Sequence, residues 1–246
     1  MAFPLAMEWR DFLFVHYPID PDYVEPLVPP SLELDTFDDR AWVSVIPFVN
    51  ERVRPAFVPG ELGIRLPELN VRTYVTFEGT EAIYFFSLDA DGLMSVLAAR
   101  WFHHLPYFNA KITHTVDGEC ISFSSRRTHP GARSASLQAS YRPNGPAVTV
   151  SDGSRSAFLL QRHRFYTEDT YGRLRYTDVT HDPWRVAPAS ADISGNTMVQ
   201  SSGIPDPDEP PILQYSPGLS VRIQPSRLVR SGKNRNDREQ RTPHDE

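Results

Sequence analysis

Three polar side chains alternate within a strongly apolar segment of the chain, and together they could hold and protonate an acid. Glu68, Asn70 and Arg72 each lie two residues apart. Side chains two residues apart along an extended strand point to the same side, so these three would share one face. An arginine fork binds a carboxylate through two parallel hydrogen bonds, and a neighbouring glutamate can donate or accept a proton. The row predicts a site for an organic acid, with Asn70 and Arg72 binding the ligand and Glu68 in an acid–base role.

A structural role would explain the same charges. Charges buried in a sheet need partners, because an unpaired charge is costly to remove from water. An ion pair of Glu68 with Arg72, or of Arg72 with Asp89, would satisfy them and brace the sheet. Asp89 precedes a predicted helix, and an aspartate in that position commonly caps the first backbone amides. The two interpretations stay open here, and they do not exclude each other.

A second polar row follows a proline, at Tyr107, Asn109 and Lys111. By the same alternation, these side chains share one face of a strand. If that face lines a cavity near Arg72 and Arg100, the neighbouring cations would favour the neutral lysine amine, which can attack a carbonyl to form a Schiff base. If the face meets solvent, Lys111 is an ordinary surface lysine. Tyr107 could also act with Glu68 as acid and base without a covalent step.

Other catalytic and cofactor motifs find no support in the sequence. The adjacent histidines His103 and His104 diverge on a helix and have no partner one turn on, so they do not predict a metal site. The single cysteine, Cys120, excludes an internal disulfide and a multi-cysteine metal site. No serine lies in the elbow motif of hydrolases, and no glycine-rich phosphate loop is present. We therefore predict neither a metal nor a cofactor.

Charge and hydropathy narrow the class of partner. The chain has 246 residues and a net charge of −6, which argues against a non-specific nucleic-acid binder. No run of about 18 apolar residues predicts a membrane span, and no basic, apolar leader opens the sequence. A cytoplasmic location is the resulting expectation.

The pattern of prolines, turns and apolar runs predicts a fold of many short strands. The 23 prolines interrupt almost every segment and disfavour long helices. Hairpins are predicted around Asp38-Asp39 and around Asp117-Gly118, and a helix of about 12 residues after Asp91-Gly92. We predict one mainly antiparallel α+β domain with two or three short helices over residues 1–229, and a disordered polar tail over residues 230–246.

Several segments of the chain carry a resemblance to a known family. The sequence is similar to the uncharacterised YqjF-like family, which is placed in the acetoacetate decarboxylase-like superfamily, over roughly residues 8 to 228. The segments that carry the likeness are Trp9 to Phe14, Arg40 to Val43, Glu68 to Arg72, Phe85 to Asp89, Arg100, Leu105 to Phe108 with Ala110, Tyr141 to Pro146, Asn196-Thr197 and Tyr215 to Leu219.

The resemblance implies a closed, cone-like antiparallel barrel with a ligand cavity. It also implies a Schiff-base lysine, because acetoacetate decarboxylase uses such an amine, with an acid beside it at about the position of Glu68. The superfamily places two adjacent lysines directly after the turn that Leu105-Pro106 occupies here. This sequence has Tyr107-Phe108 instead. The lysine pair is absent, so decarboxylation by the superfamily mechanism is not expected.

Three functional hypotheses follow. The first is a protein that binds a small organic carboxylate in an apolar cavity through Asn70, Arg72, Arg100 and Asn109. The second is a lyase acting on a keto acid, which depends either on Lys111 or on the acid–base pair formed by Glu68 and Tyr107. The third is a structural protein whose polar cluster only braces the fold. The acidic loop 206–209 and the strand edges are compatible with a homo-oligomer.

Overall fold

The computed structural model describes residues 3–91 and 105–229. The predicted helix after Asp91-Gly92, with Arg100 and the histidine pair, and the tail 230–246 lie outside these ranges. The strands are β1 (Leu5–Ile19), β2 (Glu33–Leu34), β3 (Ala41–Pro55), β4 (Ile64–Phe77), β5 (Thr80–Ala90), β6 (Tyr107–Asp117), β7 (Cys120–Arg127), β8 (Ser136–Pro143), β9 (Val148–Thr149), β10 (Arg164–Glu168), β11 (Leu174–His181), β12 (Arg185–Asn196), β13 (Ile212–Ile223) and β14 (Arg227–Leu228). Short α-helices span Pro21–Val24, Arg155–Leu160 and Met198–Ser201, and 3-10 turns span Glu25–Leu27 and Gly60–Leu62.

Seven of these strands pair into a closed ring. Following the hydrogen bonds, the order is β1, β3, β4, β5, β10, β11, β13 and back to β1. Every pairing in this ring is antiparallel except the parallel contact of β5 with β10. Closure removes exposed strand edges and creates an interior. The α+β, mainly antiparallel class predicted from the sequence is confirmed.

A second ring shares part of its wall with the first. β6, β7, β8 and β12 connect β5 to β13 on the other side of the shared strands. Its interior is filled by apolar side chains, among them Leu13, Val45, Leu69, Val71, Ile112, Phe123 and Leu137. The shared strands are therefore covered on both faces, and β3 is buried at every residue from Ala41 to Asn50. Strands covered on both faces become continuous apolar runs, which explains the composition of this segment.

The pleat of β4 distributes its side chains between the two rings. Leu69 and Val71 pack into the filled ring, whereas Glu68, Asn70 and Arg72 face the interior of the seven-stranded ring. A one-residue slip of this strand would exchange the two sets. The side-chain period of two therefore places one polar row inside a ring whose lining is mostly apolar.

A short helix packs inside the seven-stranded ring. It spans Arg155–Leu160, and the hydroxyl of Ser154 accepts a hydrogen bond of 3.1 Å from the backbone N–H of Ala157 at its start. Leu159 and Leu160 are buried against aromatic side chains of β1 and β4. The carbonyl groups at the end of this helix consequently lie close to the polar row of β4, where they can accept hydrogen bonds.

One predicted hairpin is confirmed and the other is wrong. β6 and β7 form a hairpin around Asp117-Gly118. The segment before Asp38-Asp39 does not continue as a partner of β3, because only the single bridge Phe37–Arg40 forms there. Instead, β2 pairs with the end of β4. β1 and β4 already occupy the two edges of β3, so the preceding strand pairs where β4 extends beyond β3.

Candidate functional site

A cavity of about 360 Å³ lies inside the seven-stranded ring. A volume of this size is typical of sites for small molecules. Most of its lining is apolar and comes from β1, β3, β4 and β5, with representatives such as Met7, Trp9, Phe48, Leu66 and Phe85. The polar groups of the lining come from Asn50, Glu68, Asn70, Arg72, Tyr107, Arg162, Arg164 and His181.

Glu68 is the buried carboxyl group of the cavity. It is 5% exposed. The hydroxyl of Tyr107 donates a hydrogen bond of 2.8 Å to its Oε2, and Nδ2 of Asn50 donates one of 3.2 Å to the same oxygen. Burial raises the pKa of Glu68 to about 7, although hydrogen bonds from Tyr107, Asn50 and Asn70 favour the ionised form. A carboxyl group with this pKa can both donate and accept a proton at neutral pH.

Arg72 is a buried cation that has no carboxylate partner among the described residues. It is 8% exposed, its Nη2 donates a hydrogen bond of 2.9 Å to the carbonyl oxygen of Leu159, and its Nε has no partner among the described residues. The anticipated ion pairs with Glu68 or Asp89 do not form. Asp89 instead binds Arg127 at 2.6 Å, and the helix that it was expected to cap lies outside the described residues.

Arg162 is a second cation at this end of the cavity, and the sequence interpretation did not include it. It is 3% exposed. Its Nη1 lies 2.8 Å from Oδ2 of Asp35, its Nε donates to the carbonyl oxygen of Phe158 at 2.7 Å, and its Nη2 has no partner in the described chain. An arginine two residues after the buried Leu160 was the available signal, because charges in apolar surroundings are rarely accidental.

A buried hydrogen-bond chain lies beside Arg72. Nδ1 of His16 is 2.6 Å from the hydroxyl of Ser44, which is 2.7 Å from the hydroxyl of Tyr74. Burial, together with the charges of Arg72 and Arg155, lowers the pKa of His16 well below its ordinary value. The imidazole is therefore neutral at neutral pH and adds no charge to this end of the site.

The second polar row divides between the cavity and the surface. Tyr107 is buried and reaches Glu68, whereas Lys111 is exposed and does not line the cavity. Asn109 is half-buried and donates to the hydroxyl of Thr128 at 2.8 Å. Arg100 lies outside the described residues.

The pairing of β6 explains this division. The strand pairs with β5 only over Tyr107 to Asn109 and then pairs with β7. Ala110 and Ile112 face the filled ring. The opposite face, which carries Lys111, lies beyond the seven-stranded ring and meets solvent.

Two further features of the described residues bear on partners. Over residues 3–91 and 105–229, no group of histidine, cysteine, aspartate and glutamate side chains is arranged to hold a metal ion. No helix in the same ranges has the length and apolar character that a membrane crossing requires.

The sequence matches a known protein family over most of its length. The sequence model of DUF2071, a family of uncharacterised conserved proteins, matches residues 6–220. The chain belongs to this family. One similar protein is the uncharacterised protein YqjF of Bacillus subtilis (strain 168). The two sequences are 42% identical over 225 residues, and the alignment covers 91% of each chain. The resemblance to the YqjF-like family is confirmed.

Solved structures share the fold at low sequence identity. The enduracididine biosynthesis enzyme MppR in complex with pyruvate has a TM-score of 0.64 at 16% identity, over 93% of this chain and 91% of that one. Acetoacetate decarboxylase from Legionella pneumophila has a TM-score of 0.64 at 15% identity, over 93% and 88%. An acetoacetate decarboxylase-like enzyme from Sphingomonas wittichii RW1 has a TM-score of 0.62 at 13% identity, over 94% and 95%. The DUF2071 chain therefore has the acetoacetate decarboxylase-like fold.

Proposed function

We propose that this DUF2071 protein binds a small organic carboxylate in the cavity of the seven-stranded ring, with Arg72 as the principal anion-binding residue. The observation that carries the proposal is that Arg72 is buried without a carboxylate partner among the described residues. Its guanidinium is buried, it forms no ion pair with a described residue, and its Nε has no hydrogen-bond partner there. A carboxylate ligand would supply both the missing charge and the missing acceptor.

Energetics favour this assignment over a purely bracing role. A buried charge without a counterion costs several kcal/mol, and only paired charges recover that cost. The bond from Arg72 to Leu159 uses one donor of the guanidinium, and no carboxylate of the described residues balances its charge. Arg162, in contrast, already lies near the carboxylate of Asp35. We therefore assign the ligand carboxylate to Arg72, with the free Nη2 of Arg162 as a second donor.

One structure of the same fold adds support. MppR has been solved with pyruvate, a small carboxylate. The relation between the two chains is one of fold, and fold does not determine function. The pyruvate complex nevertheless shows that a chain with this architecture can hold such a ligand, which agrees with the proposal for Arg72.

Calorimetry with a panel of carboxylates tests the proposal. We expect at least one acid to bind the wild type and to lose tenfold or more in affinity in Arg72→Met, since a charge-assisted hydrogen bond is lost. Arg142→Met is the matched control, because Arg142 is exposed on β8. Equal binding of all carboxylates by the wild type and Arg72→Met would overturn the proposal.

A second candidate function rests on Glu68 and Tyr107. A carboxyl group with a pKa of about 7, bonded to a tyrosine hydroxyl inside a cavity, is suited to proton transfer at a carbon next to a carbonyl. Such an enzyme would hold a keto acid at Arg72, and the ionised Glu68 would take a proton from the carbon beside the carbonyl to give an enolate. Lys111 has no part in this scheme, because it does not line the cavity.

Deuterium exchange tests this second function directly. In D2O, proton transfer would replace the hydrogens next to the carbonyl of 2-oxobutyrate by deuterium, which NMR detects. We expect Glu68→Gln to abolish the exchange. Glu119→Gln, at an exposed turn, should retain it. If the wild type binds 2-oxobutyrate but exchanges its hydrogens no faster than buffer does, the proton-transfer function is rejected and only ligand binding is retained.

A further inference from the structure

The cavity changes in character along β4. Arg72 is 8% exposed and Glu68 5%, whereas Ile64 at the other end of the lining is 55% exposed. Phe3, which also lines the cavity, is 52% exposed. The cavity is therefore closed around the cations and open where β4 begins.

Apolar side chains surround the open end. Phe3 packs edge-on against Phe57 with their ring centroids 5.2 Å apart. Phe57 is exposed, as is Ile64. Large apolar side chains that are exposed together commonly mark a surface that binds an apolar ligand.

Between the opening and Glu68, the passage is apolar as well. Below the opening, the lining residues on the strands of the wall include Leu5, Met7, Val53, Leu66 and Ile223. A hydroxyl or a second carboxylate placed here would lose its hydrogen bonds to water without gaining new ones. Arg164 also lines the cavity, but its guanidinium is already paired with Asp178 at 2.7 Å. The apolar stretch thus disfavours a ligand that is polar at both ends.

We propose that the ligand is a monocarboxylic acid with an extended apolar tail, bound with its carboxylate at Arg72 and its tail directed toward Ile64. This inference rests on the proposed function and specifies its ligand class. Ile64 and Arg72 are eight residues apart on one strand, which corresponds to about 26 Å. The distance and the volume of about 360 Å³ accommodate a medium-chain acid and exceed what a short keto acid fills.

Binding of a homologous series of acids measures the contribution of the tail. We expect affinity to rise from butyrate through hexanoate and octanoate to decanoate, by about fourfold per methylene while the tail remains within the cavity. Suberate has the length of octanoate with a second carboxylate, and it should bind at least tenfold more weakly than octanoate. Equal affinities along the series would overturn the inference.

A variant that narrows the passage distinguishes the contribution of the tail to affinity from that of the carboxylate. Leu66→Trp places a larger side chain in the lining, and we expect it to weaken octanoate tenfold or more while leaving butyrate within twofold. Val116→Trp is the control, because Val116 is exposed on β6 and away from the cavity. If Leu66→Trp does not fold, Val53→Phe narrows the same passage from β3. Unchanged octanoate binding in the folded variant would also overturn the inference.

The two proposals can fail separately. If butyrate binds in an Arg72-dependent manner and longer acids bind no more tightly, the carboxylate site stands and the apolar tail does not. If no acid of the series and no other carboxylate binds, the proposed function fails and this inference fails with it.

Discussion

Glu68 is a carboxyl group in surroundings that favour its neutral form. Its folded-state pKa of about 7 lies above the ordinary value of 4.5. Below pH 4.5 the group is protonated in both the folded and the unfolded chain, and it imposes no penalty. As the pH rises from 4.5 to 7, the unfolded chain releases the proton first, so the folded state loses stability. Above pH 7 the penalty is constant.

This linkage predicts the behaviour of Glu68→Gln. Glutamine cannot ionise, and it retains an oxygen that can accept a hydrogen bond from the hydroxyl of Tyr107. Relative to wild type, the variant should gain about 3 kcal/mol of unfolding free energy between pH 4.5 and pH 7. Urea unfolding at several pH values measures it, with Glu119→Gln at the surface as control. An identical pH dependence of wild type and Glu68→Gln would contradict the assignment.

The hydroxyl of Tyr107 stabilises the ionised form of Glu68. It donates a hydrogen bond of 2.8 Å to Oε2, which lowers the pKa of Glu68 against the effect of burial. Tyr107→Phe should therefore raise that pKa above 7, and carbon NMR of the labelled carboxyl group would follow the titration. Asn50→Ala removes the longer bond of 3.2 Å and should act in the same direction. A titration of Glu68 that stays at 7 in Tyr107→Phe would show that this hydrogen bond does not set its acidity.

At the scale of elements, one ion pair connects the two rings. Asp89 on β5 and Arg127 on β7 are joined at 2.6 Å, with side-chain exposures of 0% and 4%. Arg127 also stacks over the ring of Phe108 on β6, at 4.1 Å from its centroid. Three strands therefore meet at this pair, at the point where the pairing of β6 changes from β5 to β7.

Arg127→Met should be strongly destabilising. It leaves the carboxylate of Asp89 buried without its partner, which costs about 3–5 kcal/mol in unfolding free energy. Arg126→Met is the control, because Arg126 is the preceding residue on the same strand and is exposed; its effect should stay within about 0.5 kcal/mol. Chemical denaturation compares the two. A mild effect of Arg127→Met would show that water reaches Asp89 and compensates for the loss.

The elements also show what the sequence could predict. Period-two alternation was enough to place Glu68, Asn70 and Arg72 on one face, because β4 stays in both rings along this row. The same rule could not place Lys111, because β6 changes its pairing partner two residues after Tyr107. A change of partner is a tertiary event, and it leaves no trace in local alternation.

The position of Arg162 and the closure of the seven-stranded ring also depend on contacts between distant parts of the sequence, so local patterns could not predict them. Arg162 reaches the cavity only because the helix Arg155–Leu160 packs inside the ring. The pairing of β11 with β13 closes that ring and joins segments far apart in sequence. Periodicity identified the strands, whereas closure was an implication of the family resemblance alone.

On the scale of the whole molecule, ligand binding and folding are linked through Arg72. A ligand that binds only the folded state stabilises it by about 2.7 kcal/mol at a concentration of 100 times its dissociation constant. For a chain of this size, each kcal/mol raises the melting temperature by about 2–4 °C. A carboxylate that fits the cavity should therefore raise the melting temperature of the wild type by about 5–10 °C at that concentration.

Arg72→Met should reverse this relation. Methionine removes the buried charge, which favours the folded state, and leaves the carbonyl of Leu159 without its donor, which costs about 1–3 kcal/mol. Because an uncompensated buried charge costs several kcal/mol, we expect the ligand-free variant to be as stable as the wild type or about 1–2 kcal/mol more stable. The same carboxylate should no longer raise its melting temperature, whereas Arg142→Met should respond as the wild type does. Thermal denaturation with and without ligand measures both effects. A loss of more than about 3 kcal/mol in ligand-free Arg72→Met would instead assign Arg72 to the structure of the ring, since a cation retained for a ligand contributes to stability only when that ligand is bound.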